Sequence, residues 1–554
     1  MNREPPDDQS VSTFAHRGLT ALAVALSFYA CGDDVPGPSA DAGPTAGRDA
    51  GPGPGPDANQ AADADLTSDA DAAPGTDASV PLDATANEDG GGLPPWPLRE
   101  GACAGPFECE EGQGCAAGQC GLCTAADDCL PGDVCRVDGS CGECSDSTEC
   151  ALGQNCQSGF CIDASLRAWN LEIAESDYFL LIDNPYEEIF VLCALVADGV
   201  RYDQGCQVRL RGGSARDYPK KSFRITFADG VPHPGFSRKI NLRAEYNEPS
   251  FLRNVIALET FRRLAQVPTP RTRFIDFSIN GVSYGLMSEV ERVGGKLLRT
   301  NGRDDLAPLY EADPPRDLFA LGTGSLVPLP DEATYQAGFD KKSPDDPSYA
   351  DLMHFVENVI WADFVESTTR RLRTELDVEL YLQYLALMGV VQNHDHIRKN
   401  YYLTRQLHPV GNQRWEMLPW DLDLSFGCLY DDVLMTTYCD EFIVDQAPDR
   451  GILVGAEAGY PVMAFYNQLQ HDVLLDPQMR ARFESLACGA LDSEWWSSRL
   501  LDFIDAKEVE IRASVAADDR DRNADEFAFE AEVEDLRRFL TERAAVVRSV
   551  FSCP

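Results

Sequence analysis

Basic residues are what this chain has least of. It carries 91 aspartates and glutamates against 47 lysines and arginines, a formal net charge of −44. That argues against nucleic-acid binding, which needs a basic footprint to displace counterions. It favours basic partners only weakly, because acidic residues mostly form a solvated surface. No stretch holds about 18 consecutive apolar residues, so no spanning helix is expected. Both standard phosphate loops are also missing: there is no Gly-x-x-x-x-Gly-Lys-Ser/Thr run and no Gly-x-Gly-x-x-Gly run where lysines enter a strand. Residues 32–97 have almost no aromatic or β-branched apolar side chains. Such a segment cannot bury enough apolar area to offset its chain entropy.

What is present begins with an export signal. Arg17 precedes an apolar run from Leu19 to Ala30, too short to cross a bilayer. The run ends in Ala30-Cys31-Gly32, a small residue before a cysteine, as in a bacterial lipobox, although Phe28 departs from the usual aliphatic residue. Lipidation of Cys31 tethers the mature chain to a membrane. The alternative is an ordinary cleaved signal with a chance cysteine. The expected location is therefore exported and lipid-anchored to a bacterial cell envelope. The expected organisation is a signal peptide with lipobox at 1–31, an extended Ala/Asp/Pro/Gly linker at 32–101, a Cys-rich module at 102–162 and a globular domain at 166–554.

Twelve cysteines from Cys103 to Cys161 form three units of four with similar gaps. Units this short have little core and need covalent staples. Cys120-x-x-Cys123 and Cys141-x-x-Cys144 also fit a zinc-ribbon spacing. Disulfides within units are the better reading, since the same rhythm runs on through cysteines that a four-ligand site leaves idle. Six further cysteines lie in the globular part. Their sequence-nearest pairings are Cys193 with Cys206, Cys428 with Cys439 and Cys488 with Cys553.

Short alternating runs predict strands at 207–210, 222–227, 274–279, 401–403 and 415–418. Apolar residues at three- and four-residue steps predict helices over 252–264, 376–391 and 532–551. Asn280-Gly281 between two alternating runs signals a hairpin. The fold class is α+β.

Four segments carry candidate chemistry. In Asn393-His394-Asp395-His396-Ile397-Arg398-Lys399-Asn400, an Asp precedes an Asn by five residues and leads into an apolar strand. A protein-kinase catalytic loop is laid out this way: the Asp takes the proton of the attacking hydroxyl and the Asn holds a metal. A capped turn between helix and strand fits the same residues, and His394-Asp395-His396 also offers a partial metal cluster. Downstream, Pro419-Trp420-Asp421-Leu422-Asp423 follows a strand-like run. Residues two apart on a strand share a face, so both carboxylates are expected to offer hard oxygens to Mg²⁺. Upstream, Arg211-Gly212-Gly213-Ser214 precedes Tyr218-Pro219-Lys220-Lys221-Ser222-Phe223. A lysine fixed on a strand pairs with nucleotide phosphates, and a solvated basic strand end is the plainer alternative. Glu289 and Glu291 lie at the end of the hairpin and are candidate partners for Lys220.

Taken together, the Arg-Gly-x-Ser … Pro-Lys-Lys segment, Leu252-Arg253-Asn254, Tyr284-Gly285-Leu286 with Glu291, and Pro419-Trp420-Asp421-Leu422-Asp423 resemble the CotH family of bacterial spore-coat and envelope kinase-like proteins. The likeness runs over about 180–551. It implies a divergent, trimmed protein-kinase-like fold that binds ATP with Mg²⁺ and phosphorylates Ser or Thr of partner proteins. In that reading Asp395 is catalytic. Asn400, Asp421 and Asp423 hold the metal. Lys220, or Lys221 in its place, binds the phosphates with Glu291 as partner, and Arg211 belongs to the nucleotide site. The rival is a non-catalytic surface protein that displays the same scaffold for binding or adhesion.

Overall fold

The structure, a computed structural model, describes residues 114–116, 119–121, 123, 129, 133–136 and 141–553. Within the last range, 152, 247, 315–322, 362–364, 394, 397–398, 409–410, 432–435, 439–466, 519–525 and 552 are not described. The expected signal peptide with Cys31, the linker, Cys103, Cys109, His394 and Cys439 lie outside the described residues. No helix among the described residues is long and apolar enough to cross a membrane.

The second and third cysteine units pair internally and interlaced. Cys123 bonds Cys135 and Cys129 bonds Cys141 in one unit; Cys144 bonds Cys156 and Cys150 bonds Cys161 in the next. The cysteines that cluster closely enough to suggest a metal are among those oxidised here. Cys193–Cys206 and Cys488–Cys553 also form as expected, and Cys428 is disulfide-bonded. The last unit packs against the globular domain. Phe160 and Ile162 enter the main core, and Phe160 packs edge-on against Phe503 at 5.4 Å between centroids. Asp133 takes ion pairs from Arg499 at 3.4 Å and Arg263 at 3.6 Å.

A closed sheet follows, which the sequence reading did not anticipate. Its strands are β1 (Arg167–Ile173), β2 (Val191–Ala197), β3 (Val200–Tyr202), β4 (Gln207–Arg211), β5 (Ser222–Thr226), β6 (Lys239–Arg243), β7 (Thr272–Ile279) and β8 (Val282–Val290). They pair in the order β4-β5-β6-β8-β7-β1-β2-β3, and β4 also pairs with β2, closing a barrel-like sheet. The β7–β8 hairpin turns at Asn280 and Gly281, both at positive φ (51° and 78°), which the Asn-Gly pair tolerates. Inside sit Val208, Leu210, Phe223, Ile225, Ile240, Leu242, Phe277 and Met287. Alternation sends the intervening residues outward. Arg209 lies opposite Arg224, and Arg224 opposite Asn241. Arg211 and Arg243 are each two residues from a member of that row, so one outer face of the barrel carries four arginines.

A second, antiparallel sheet has β9 (Leu309–Ala312), β10 (Phe339–Ser343), β11 (Tyr401–Leu407) and β12 (Gln413–Pro419) in the order β10-β9-β11-β12. It shares a large core with helices α1 (Arg253–Leu264), α2 (Val378–Val390), α3 (Pro477–Asp492), α4 (Leu500–Ala517) and α5 (Glu526–Phe551). Helix α2 starts on Asp377, whose side chain accepts from the Leu380 amide, and it is buried along nearly its whole length. All the predicted strands and helices form, with ends displaced by a few residues in either direction.

Candidate functional site

The β11–β12 ladder sets the site. Tyr401 pairs with Pro419 at one end. The residues just beyond, Asn400 on one side and Trp420-Asp421 on the other, therefore leave the sheet side by side. The loop from 391 to 400 and the loop from 420 to 428 are then stitched together. The Phe426 amide donates to the Val391 carbonyl at 2.8 Å, and the Asn393 amide nitrogen donates to the Ser425 hydroxyl at 3.0 Å. The oxygen of the same Asn393 side chain accepts from the Asp395 and His396 amides, both at 3.1 Å. Asn393 is a junction between the two loops.

Asp395 is oriented by two donors. Asn400 donates to its Oδ2 at 2.9 Å, and Lys399 lies 2.9 Å from the same oxygen. Because Asn400 turns its N–H₂ to Asp395, its carbonyl oxygen is the atom left for a cation. Asn400 sits at φ 62°, held there by its amide bond to the Ala312 carbonyl. His396 is buried, with Nδ1 3.1 Å from the Asn393 carbonyl. Burial pushes its pKa down to about 4, so it is neutral at physiological pH.

Asp421 and Asp423 converge, but not by strand alternation: β12 ends at Pro419, and Asp421 adopts φ 56°. Both carboxylates bind one guanidinium. Arg243 of β6 contacts Asp421 Oδ1 and donates to Asp423 Oδ2 at 3.0 Å. Burial opposes the charge of Arg243, but Glu245 and Asp423 outweigh it and raise its pKa. The loop is pinned from below by Asn254 of α1, whose side-chain oxygen accepts from the Leu422 amide at 3.0 Å. Next to it, Arg253 is fully buried between Glu248 and Glu532. Asp421, Asp423 and the Asn400 side-chain oxygen are the hard oxygens that these two loops could offer a divalent ion; in this structure Arg243 is the cation that both aspartates hold.

The arginine face of the barrel looks onto these loops. Arg211 lies over the Trp420 ring at 5.8 Å. Burial, with Arg224 and Arg243 nearby, lowers its pKa to about 9. Arg292 is likewise pushed down, first by burial, with Arg224 among its neighbours. Across from them Tyr402 donates to Glu311, which also pairs with Lys342 at 2.5 Å. An open depression of about 680 Å³ elsewhere on the barrel, lined by Asn170, Glu172, Arg201 and Asp203 among others, holds none of the residues expected to do chemistry.

The CotH family model, described as CotH kinase protein, matches residues 208–547, more than half of the sequence. This chain belongs to the CotH family. It is 29% identical over 223 residues to the Inner spore coat protein H of Bacillus subtilis (strain 168), a match covering 40% of this chain and 58% of that protein. The chain thus spans a little over half the length of that relative.

One expectation drawn from the CotH resemblance does not hold geometrically. Lys220 and Glu291 do not pair. The Lys220 ammonium is sealed from solvent and donates to Asp518 Oδ2 and to the Leu286 carbonyl, both at 2.6 Å. Glu291 instead takes a forked contact from Arg271 at 2.8 and 2.9 Å, and Glu289 is held by Arg273 and the Phe236 amide. The Lys221 ammonium turns back to the Arg216 carbonyl at 2.5 Å. The Tyr284-Gly285-Leu286 motif explains the seal. The Asp518 carboxylate also accepts from the Leu286 amide at 2.8 Å, and it occupies the space a Cβ on Gly285 needs. Asp518 was missed because nothing near it in the sequence marks it. Arg224 and Arg243 were missed for another reason: only the strand register shows that they share a face with Arg211.

Proposed function

We propose that this CotH domain transfers phosphate from ATP, with Mg²⁺, to Ser or Thr of partner proteins. What carries the reading is the facing of two cross-stitched acidic loops and an arginine-lined barrel wall. The two lobes are read as a divergent protein-kinase-like pair. Asp395 accepts the proton of the acceptor hydroxyl and aims its oxygen at the terminal phosphorus. Asn400, Asp421 and Asp423 hold the metal, and Arg211 with Arg224 holds the phosphates in place of Lys220. The bound ion supplies charge neutralisation on the nucleotide, so the protein's part is mainly positioning and electrostatics. Paired disulfides and Cys31 support an exported, lipid-anchored protein acting on envelope or surface proteins, unidentified and without nucleic acid.

The test is incorporation of labelled phosphate from ATP into a Ser/Thr-rich basic protein by the whole chain. Asp395→Asn is expected to lower the rate by about 10²–10⁴-fold, and Asp421→Asn to lower it and raise the Mg²⁺ concentration needed for half-maximal rate. Equal labelling by all three proteins sinks the assignment. One observation favours the rival reading of a surface binder: Arg243 engages both aspartates. In that case wild type shows no labelling and no nucleotide-dependent thermal shift.

A further inference from the structure

We propose that the third cysteine unit is a redox-dependent brace: oxidised, it holds α1 in place, and with α1 the loop of Asp421 and Asp423; reduced, it lets α1 go. The unit precedes the stretch that the family model matches, and the inference does not depend on phosphoryl transfer. Its two short strands, Gln154–Gln157 and Phe160–Asp163, set Cys156 opposite Cys161, and Cys144–Cys156 and Cys150–Cys161 staple it. Phe160, beside the turn of this hairpin, is 1% exposed and meets Phe503 at 5.4 Å and Trp495 at 6.4 Å. The Arg499 guanidinium lies 4.3 Å from the centre of its ring and that of Arg263 5.6 Å. Arg263, in the last turn of α1, also covers the Trp495 ring at 4.4 Å, and the Trp495 indole donates to Thr260 of α1 at 3.1 Å. Asp133 of the preceding unit pairs with both arginines.

The C-terminal half of α1 is thus seated on the cysteine-rich region. Its first turn carries Asn254, which holds the Leu422 amide at 3.0 Å. One helix of 12 residues joins the two ends, so support lost at one is felt at the other. Apart from cysteine, Phe160 and Ile162 are the buried apolar residues of the hairpin, and both belong to the core of the domain. A unit with so little core of its own keeps its shape through covalent staples. Cys150, Cys156 and Cys161 are half-buried, within reach of a dithiol. For each S–S bond broken, the dithiol gives two electrons and two protons to the two cysteine sulfurs and leaves as a disulfide. The opened hairpin no longer presents Phe160 to Trp495 and the two arginines, and α1 loses that support. The domain is fully ordered only in oxidising surroundings.

Hydrogen–deuterium exchange of the whole chain reads the brace without nucleotide or metal. In Cys150→Ser with Cys161→Ser, the amides of α1 and of 420–428 are expected to exchange about tenfold faster or more than in wild type, while those of β4 and β5 keep their rate. If that variant does not fold, Cys144→Ser with Cys156→Ser opens the other staple and takes its place. Phe160→Leu keeps every disulfide closed and removes the ring under the two guanidinium groups; it is expected to speed the same amides by a smaller factor. Wild-type exchange of α1 in both kinds of variant overturns the proposal. Faster exchange in Phe160→Leu with wild-type exchange in the cysteine variant overturns the redox dependence. Equal acceleration of α1, β4 and β5 means a general loss of stability and overturns the brace. None of these outcomes bears on phosphoryl transfer, which the labelling experiment tests by itself.

Discussion

Two places on the barrel hold positive charge away from bulk solvent, one fully buried and one half-buried, and they differ in how it is answered. Lys220 lies under the end of α4, where Asp518 and the Leu286 carbonyl meet its ammonium at 2.6 Å. Arg211 and Arg292 are held differently: burial first, and then the nearby Arg224 charge, push the pKa of each down, and Arg211 lies over the Trp420 ring. A buried charge matched by its own partner is architecture. Like charges gathered together make a local positive potential, the environment in which an anion is favoured.

Lys220→Met should break the comparison most forcibly. It leaves Asp518 buried and uncompensated, so a loss of about 3–5 kcal/mol in chemical denaturation is expected. Lys220→Met with Asp518→Leu should recover most of it. Recovery of stability with phosphoryl transfer per folded molecule intact marks Lys220 as structural; loss of transfer in the stable double variant marks it as part of the site.

His396→Gln comes next. The unfolded histidine titrates near its ordinary value of about 6.5, while burial holds the folded one near 4. Between those values the unfolded chain binds a proton that the folded chain refuses, so wild-type stability falls as pH drops through the window. Glutamine removes that term, and the gap between variant and wild type should shift by about 3 kcal/mol from pH 7 to pH 4. Asp377, raised to about 6 by burial, acts with the opposite sign but is common to both proteins. A pH-independent gap contradicts the burial of a neutral imidazole under Asp395.

Asn254→Ala is the mildest. It takes the acceptor from the buried Leu422 amide, which should cost about 1–3 kcal/mol and loosen Asp421 and Asp423. Weaker Mn²⁺ binding at full folding is the expected signature; unchanged binding means the loop is held by other contacts.

Much of this was legible in the chain. Period-2 and period-3.6 runs located strands and helices, Asn280-Gly281 located the hairpin, and the cysteine rhythm located the disulfides. The Asp-x-x-x-x-Asn and Asp-x-Asp motifs led to two loops that the structure brings side by side. Closure of the barrel was not legible, because the β4–β2 pairing depends on register between strands whose intervening loops carry no signal. Nor was the role of Lys220. Asp518 is 298 positions away in sequence, and a lysine on a strand reads the same whether it meets a phosphate or an aspartate. Arg243 was hidden likewise, since its partners Asp421 and Asp423 come from the loop after β12.

The most direct test compares the two kinds of cation, the sealed lysine and the half-buried arginine, for one ligand. Calorimetric titration of the whole chain with Mg²⁺ and ATP should give clear binding for wild type. Arg224→Ala should weaken it by about tenfold or more, as expected for a lost hydrogen bond to a charged group, and Lys220→Met with Asp518→Leu should leave it unchanged. Unaltered affinity in Arg224→Ala together with loss in the lysine variant would contradict the account.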